Sequence, residues 1–318
     1  MIDAGKQNTQ DALGYVVRES QLCVNTGVTI YVLLTTVGQR LRGETHRLLH
    51  KLTNDTVTMN FDRLPTYHAK RSKQALTSVE QISQALSLDQ RDALLDVGCG
   101  PGQLTILLSK RVGRVTAFDV SCEMIAEAKK NNQAENITYN IGDATKLTTY
   151  KEYSQAFDKT VAYFCLHWMK DSKAALQGIY QSLKPGGLCF LNMTQENPDV
   201  VDTLRVLGSY ISPKWEHFMK GYKHAYYPFK GNADDFKEVL FDIGFKDVNC
   251  RLVVNKLLMT FDEAIVHYPN FMNQLRRIPE DKKKEYVEEA VKYVMDTGFK
   301  DDEGYNMTTS LIVAVARK

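Results

Sequence analysis

The sequence has almost no charge excess: 40 basic side chains stand against 38 acidic ones, a formal net charge of +2 over 318 residues. That balance removes the electrostatic reason to expect nucleic acid or an anionic membrane as the main partner. The one basic run, "HAKRSK" at 68–73, reads as a solvated helix face. Cysteine pairs are also lacking. The six cysteines, at 23, 99, 122, 165, 189 and 250, make no C-x-x-C and match no zinc spacing. Scattered thiols with apolar flanks point to core packing in a reducing compartment. His46 and His50 sit at i,i+4 but lack the glutamate of H-E-x-x-H, so no metal site is expected.

Long hydrophobic runs are missing too. Residues 22–37, "LCVNTGVTIYVLLTTV", are short and polar beside the roughly 20 apolar residues of a membrane span. A basic start and a small-residue cleavage site are not evident, which argues against a signal peptide. A signal anchor is the alternative reading of this stretch; the expectation is a cytosolic chain without a span. Residues 1–58 read as an extension outside a catalytic domain covering 59–318, and no repeat or low-complexity segment interrupts the chain.

What is present begins near residue 66. Ala75, Val79, Ile82 and Leu86 share one face at helical spacing. Strand and helix patterns then alternate: strand 93–98, helix 102–112, strand 114–120, a helix capped by Ser121, strand 137–143, a strand within 157–166, a helix capped by Asp171, the turn "KPGG" at 184–187, and strand 188–193. Such alternation predicts a parallel sheet with helices on both faces. Beyond it come an aromatic-rich, partly helical stretch (194–236), a strand at 245–255, a charged amphipathic helix at 279–298 and a closing apolar strand from 310.

The segment "ALLDVGCGPGQL" (93–104) places Gly98, Gly100 and Gly102 at the end of the first strand, where doubly wound sheets bind ligands. A dinucleotide turn reads G-x-G-x-x-G with pyrophosphate on the helix N-terminus. Here Gln103 replaces that pattern, and Asp96 precedes the first glycine. A carboxylate there repels pyrophosphate but accepts from an amino group, as in an aminoacyl moiety bearing cationic sulfur. Asp119 ends the second strand, 23 positions later, and can hold ribose hydroxyls of either NAD or S-adenosylmethionine; Asp143 ends the third, placed to accept from an adenine amino group.

At "LLDVGCGPGQL", "FDVS", "GDA", "LKPGG" and "LIVAVARK" the chain resembles the class I S-adenosylmethionine-dependent methyltransferases, over roughly 66–318. "YFCLHWMKD" (163–171), the aromatic stretch after the fifth strand and "NQLRRIPED" (273–281) look most like the juvenile hormone acid methyltransferases of arthropods. Carboxyl methyltransferases for trans-aconitate or malonyl carrier protein share a Leu-x-Trp here. The resemblance implies a doubly wound, mostly parallel seven-stranded sheet of Rossmann-like methyltransferase type. It also implies a helical substrate lid from insertions near 194–236 and 256–305. S-adenosylmethionine is then the cofactor, with Gly98, Cys99, Gly100, Gly102 and Asp96 at its amino acid end, Asp119 and Val120 at the ribose, and Asp143 and Ala144 at the adenine. His167 and Trp168, with Gln74 from the N-terminal helix, would position the acceptor, a small apolar carboxylic acid such as a sesquiterpenoid or fatty acid. The Asn/Asp-Pro-Pro-aromatic run of amino-methylating enzymes is absent, as is the double-glutamate loop of the protein arginine type.

Seven aromatics between 210 and 229 (Tyr210, Trp215, Phe218, Tyr222, Tyr226, Tyr227 and Phe229) can line an apolar pocket or form the lid's own core. Two other functions fit the same residues: methylation of a different small acceptor, and a non-catalytic S-adenosylmethionine-binding protein. An NAD-linked oxidoreductase is disfavoured by Asp96 and Gln103.

Overall fold

Strand β1 (Ala93–Val97) is apolar but for Asp96, and every one of its residues is buried. A strand covered on both faces belongs in the middle of a parallel sheet, and β1 pairs in parallel with β2 (Arg114–Asp119) on one side and β4 (Phe157–Ala162) on the other. The structure is a computed structural model that describes residues 65–318 apart from 198–202, 298–299 and 302–303. Adding β3 (Ile137–Ile141), β5 (Leu183–Thr194), β6 (Lys246–Leu258) and β7 (Gly304–Arg317) gives a seven-stranded path, β3-β2-β1-β4-β5-β7-β6. The first five strands run parallel; β7 inserts antiparallel between β5 and β6. The two residues Lys300–Asp301 fold back on β7. This is the expected doubly wound sheet.

Helix α1 (Pro65–Leu86) lays Ala75, Val79, Ile82 and Leu86 on one face of the sheet, with Leu94, Val115, Ala117 and Val161. Short α2 (Thr105–Leu108) and α3 (Cys122–Asn131) complete that layer. Helices α4 (Ser172–Ser182), which follows β4, and α7 (Ala233–Ile243), ahead of β6, cover the other face, with Leu95, Val97, Phe118 and Leu191 beneath. Ser121 caps α3 by accepting from Met124 N at 3.2 Å, and Asp171 caps α4 by accepting from Ala174 N at 2.9 Å, as predicted.

Two boundaries differ from expectation. The helix predicted over 102–112 shrinks to α2, and the Asn136 amide donates to the carbonyls of Ser109 (2.8 Å) and Val112 (3.2 Å) in the turns that follow it. The predicted turn "KPGG" lies inside β5: the register with β4 jumps from Phe157↔Leu183 to Lys159↔Leu188. Pro185 has no N–H to donate there, and Gly186 takes φ +80°. The chain terminus holds the excursion, with Gly186 N donating to Lys318 O and Lys318 N to Gly187 O, both at 3.0 Å.

A third cluster lies outside the sheet. Helices α5 (Thr203–Gly208), α6 (Glu216–Met219), α8 (Phe261–His267) and α9 (Lys283–Thr297) share a core of Leu207, Trp215, Tyr268, Tyr286 and Val291. Trp215 Nε1 donates to Glu289 Oε2 at 2.6 Å, and its ring meets Tyr286 edge-on. No helix among the described residues is long and apolar enough to cross a membrane. The expected N-terminal extension, residues 1–58, with the 22–37 stretch, His46 and His50, lies outside the described residues.

Candidate active site

The carboxyl end of β1 turns sharply at Asp96–Gly102. Gly98 has φ +67°, and a Cβ on it would stand 2.5 Å from the Cβ of Cys165, in the loop after β4. The two loops therefore touch only because position 98 has no side chain. Gly100 also has a positive φ, +56°, but a Cβ there would meet nothing within 4 Å. The backbone at Gly100 is thus bared toward open space, the form a loop takes when a ligand must lie against it.

The turn is held from β2. Gly98 N and Cys99 N donate to Phe118 O at 2.9 and 3.1 Å, and Gly102 N donates to Cys99 O at 3.2 Å. Asp119 accepts from Gly100 N through one oxygen and from Ser121 N through the other, both at 2.9 Å. Its carboxylate therefore clasps the glycine turn while standing at the strand end. Asp96 is 2% exposed and accepts the Thr105 hydroxyl at 2.6 Å, tying β1 to α2. Burial, together with the negative charges of Asp96 and Asp119, pushes the Cys99 thiol well up, which keeps it protonated.

Asp143 follows β3 and accepts from Thr145 N (3.0 Å) and the Thr145 hydroxyl (2.7 Å), with Lys146 Nζ at 3.6 Å from its other oxygen. Beside it Ala144 is buried, while Val120 after Asp119 is exposed. A cleft opens past the glycine turn, lined by Ala75, Asp96, Gly98, Cys99, Gln103, Leu104 and Tyr163. The Ser78 and Tyr163 hydroxyls hydrogen-bond each other, drawing α1 across this mouth. Gln74 immediately precedes Ala75 in α1, and its side chain lies outside the described residues. Sequence reasoning missed Ala75, Leu104 and Tyr163 as part of this cleft, with Ser78 and Thr105 as the partners that hold Tyr163 and Asp96, and took Gln103 only as a departure from a dinucleotide pattern. Tyr163 and Ser78 are 85 residues apart, and no spacing signal links them.

The neighbouring strand β4 ends in a second turn. Phe164 has φ +54°, and its N donates to Asn192 Oδ1 at 2.5 Å. Leu166–Trp168 then form one 3-10 turn, with His167 buried and Trp168 half-buried. Their rings lie 5.3 Å apart, and Tyr226 packs on both, at 5.5 Å from His167 and 5.1 Å from Trp168. The backbone joins in, with Tyr227 N donating to His167 O at 2.7 Å. Of the seven aromatics with two open readings, Tyr226 stands at this turn. Tyr210, Trp215, Phe218 and Tyr222 belong to the core of the third cluster, and Phe229 packs on Phe236 in the main core.

The site thus combines a bared glycine turn, a buried carboxylate, two strand-end carboxylates and an aromatic turn one strand away. The Methyltransferase domain family matches residues 95–191, which span β1 to β5. A solved structure from Bacillus halodurans C-125, described as a methyltransferase, superposes with a TM-score of 0.51 at 17% identity, covering 76% of this chain and 99% of its own. The matched domain and the Rossmann-like fold around it are those of S-adenosylmethionine-dependent methyltransferases. The chain is 29% identical over 248 residues to juvenile hormone acid O-methyltransferase of Drosophila melanogaster, covering 72% of this chain and 82% of that one. The protein of the same name from Bombyx mori is 24% identical over 264 residues, covering 80% and 92%. A malonyl-[acyl-carrier protein] O-methyltransferase of Priestia megaterium is 30% identical over 126 residues, 38% of this chain and 44% of that one. The residues present fit the cofactor: the open Gly100 backbone and the cleft beside buried Asp96 suit a zwitterionic amino acid.

Proposed function

We propose that this methyltransferase esterifies the carboxylate of an apolar acid, a sesquiterpenoid acid such as juvenile hormone acid or farnesoic acid, or a fatty acid. The reading rests most on the aromatic turn: His167 and Trp168 lie at the end of β4, on the loop that touches the glycine turn, with Tyr226 packed over them. The carboxyl methyltransferases among the relatives support it.

S-adenosylmethionine, when bound, supplies an electrophilic methyl group on cationic sulfur. Gly98, Cys99, Gly100 and Gly102 give its amino acid end a backbone surface, with Asp96 as the carboxylate partner. Asp119 and Val120 lie toward the ribose, and Asp143 and Ala144 toward the adenine. Gln103 and Tyr163 wall the same cleft.

An acid with a reference pKa near 4 is already ionised at neutral pH, so no general base is needed. The chain's task is alignment and exclusion of water, which supplies roughly 7–11 kcal/mol of such a barrier. Trp168, the more exposed of the pair, offers its indole N–H to one carboxylate oxygen, and His167 beneath it fixes the ring. Gln74 is the candidate donor from α1. The test uses methyl-labelled S-adenosylmethionine and a panel of acids, followed by extraction and base treatment. Label released as methanol from an apolar acid supports the reading; cofactor binding with no transfer to any acid overturns it.

A further inference from the structure

A chain of hydrogen bonds inside the lid ends on a nitrogen that no described residue satisfies. Gln274 is fully buried and donates through Nε2 to Leu207 O at 2.9 Å. A carbonyl only accepts, so this contact fixes the amide, leaving Gln274 Oε1 as an acceptor. The Tyr222 hydroxyl donates to that oxygen at 3.3 Å, which uses its one proton. The same hydroxyl lies 3.3 Å from His224 Nδ1. At that contact the imidazole must be the donor. The proton therefore sits on Nδ1, and Nε2 carries a lone pair.

That Nε2 is buried with no hydrogen-bond partner among the described residues. The ring is placed by shape as well. It lies over Gly208 at the end of α5, where a Cβ would come within 2.1–2.3 Å of three imidazole atoms. His224 in turn packs on Tyr226 at 5.8 Å, and Tyr226 packs on Trp168 at 5.1 Å. The lone pair thus belongs to the ring cluster of His224, Tyr226 and Trp168, which the proposed function sets at the acceptor. A buried acceptor left unmatched carries a desolvation cost, and a ligand group that matches it recovers that cost.

We infer that His224 is a specificity-determining residue: its Nε2 accepts a hydrogen bond from a hydroxyl on the substrate, several carbons from the carboxylate. The inference rests on the carboxyl methyltransferase reading above, and it narrows the acceptor to a hydroxylated apolar acid. Burial lowers the His224 pKa to about 4, so the ring is neutral at physiological pH and offers a lone pair rather than a charge. A base that weak does not deprotonate an alcohol, so the hydroxyl is held and not methylated.

The test compares dodecanoic acid with its monohydroxy isomers, the hydroxyl walked along the chain, using the full-length protein. One isomer is expected to exceed the parent acid in kcat/KM by about tenfold, the worth of one net hydrogen bond. His224→Asn keeps a donor toward Tyr222 but loses the distal acceptor. It is expected to bring that ratio to about one, whatever it does to the parent acid's own rate. His224→Gln restores an acceptor at the distal position and is expected to restore the preference. Equal rates for all isomers, or a preference that survives His224→Asn, overturns the inference; the second result is that of a buried water on Nε2. Calorimetric binding of the same acids to the S-adenosylhomocysteine complex reads the hydroxyl preference without turnover. A chain that methylates none of them therefore fails the carboxyl reading separately from the His224 assignment.

Discussion

Two turns stand side by side at the carboxyl ends of β1 and β4, and they are built in opposite ways. Asp96–Gly102 is backbone and carboxylate, held by hydrogen bonds to Phe118 and Asp119 of the adjacent strand. Leu166–Trp168 is rings, completed by Tyr226 and fastened at His167 O by Tyr227 N. A surface made of main chain accepts no added atoms, because a side chain would occupy the ligand's place or strike its neighbour. A surface made of rings is tuned by exchanging them. The methyl donor is one compound, which suits the first; methyl acceptors vary in shape, which suits the second.

The contrast can be broken most severely at Gly98. Gly98→Ala forces a Cβ to 2.5 Å from that of Cys165 at φ +67°. It is expected to cost a few kcal/mol of stability and to abolish cofactor binding, as read by thermal unfolding and S-adenosylhomocysteine calorimetry. Gly100→Ala sharpens the point, since its Cβ finds open space. It should lose only about 1 kcal/mol of stability yet still weaken the cofactor; full retention of affinity would remove the glycine turn from the cofactor's path.

Trp168→Ala is the opposite experiment. Cofactor affinity should hold within about twofold while kcat/KM falls roughly a hundredfold, the scale of a lost aligning group. Parallel loss of both would show that the two turns do not divide donor from acceptor. Next in size is Asp96→Asn, which weakens a buried charge-assisted bond with Thr105. About a tenfold loss of S-adenosylhomocysteine affinity is expected, since such bonds are worth roughly 1.5–3 kcal/mol.

The response to pH acts on stability rather than on binding. His224 titrates near 6.5 unfolded and about 4 in the fold. Between those values the unfolded chain binds more protons, so stability falls as pH drops from 6.5 and levels off below 4. The full difference is on the order of 3 kcal/mol. His224→Phe should flatten this part of the curve relative to the parent chain; identical slopes would deny that the imidazole is buried and neutral.

What the sequence revealed follows from how local each signal is. The strands, the Ser121 and Asp171 caps and the three strand-end aspartates depend on neighbours within a few residues, and each stands where it was expected. The β5 excursion depends on Lys318 and Arg317 at the far end of the chain, so "KPGG" read as a plain turn. The turns after the short α2 bond to Asn136, 27 residues away, and no local signal marks that contact. Trp215 and Tyr226 look alike in an aromatic stretch, yet one is sealed in the lid's core and the other meets Trp168. Only the fold separates them, because the separation is made by α9 and by the turn after β4. Asp119 was legible as a strand-end carboxylate, but its hold on Gly100 N was not.

The returning segment from Tyr227 to Phe229 is stitched down by main-chain hydrogen bonds: Tyr227 N to His167 O, Phe229 N to Thr194 O, both at 2.7 Å, and Glu196 N to Phe229 O at 2.9 Å. Such a seam separates fastening from fitting. The side chain at 226 is relieved of anchoring the strap, so its size can drift over generations, or be redesigned, without the strap changing course. New acceptors become reachable by single ring exchanges on an unaltered chassis.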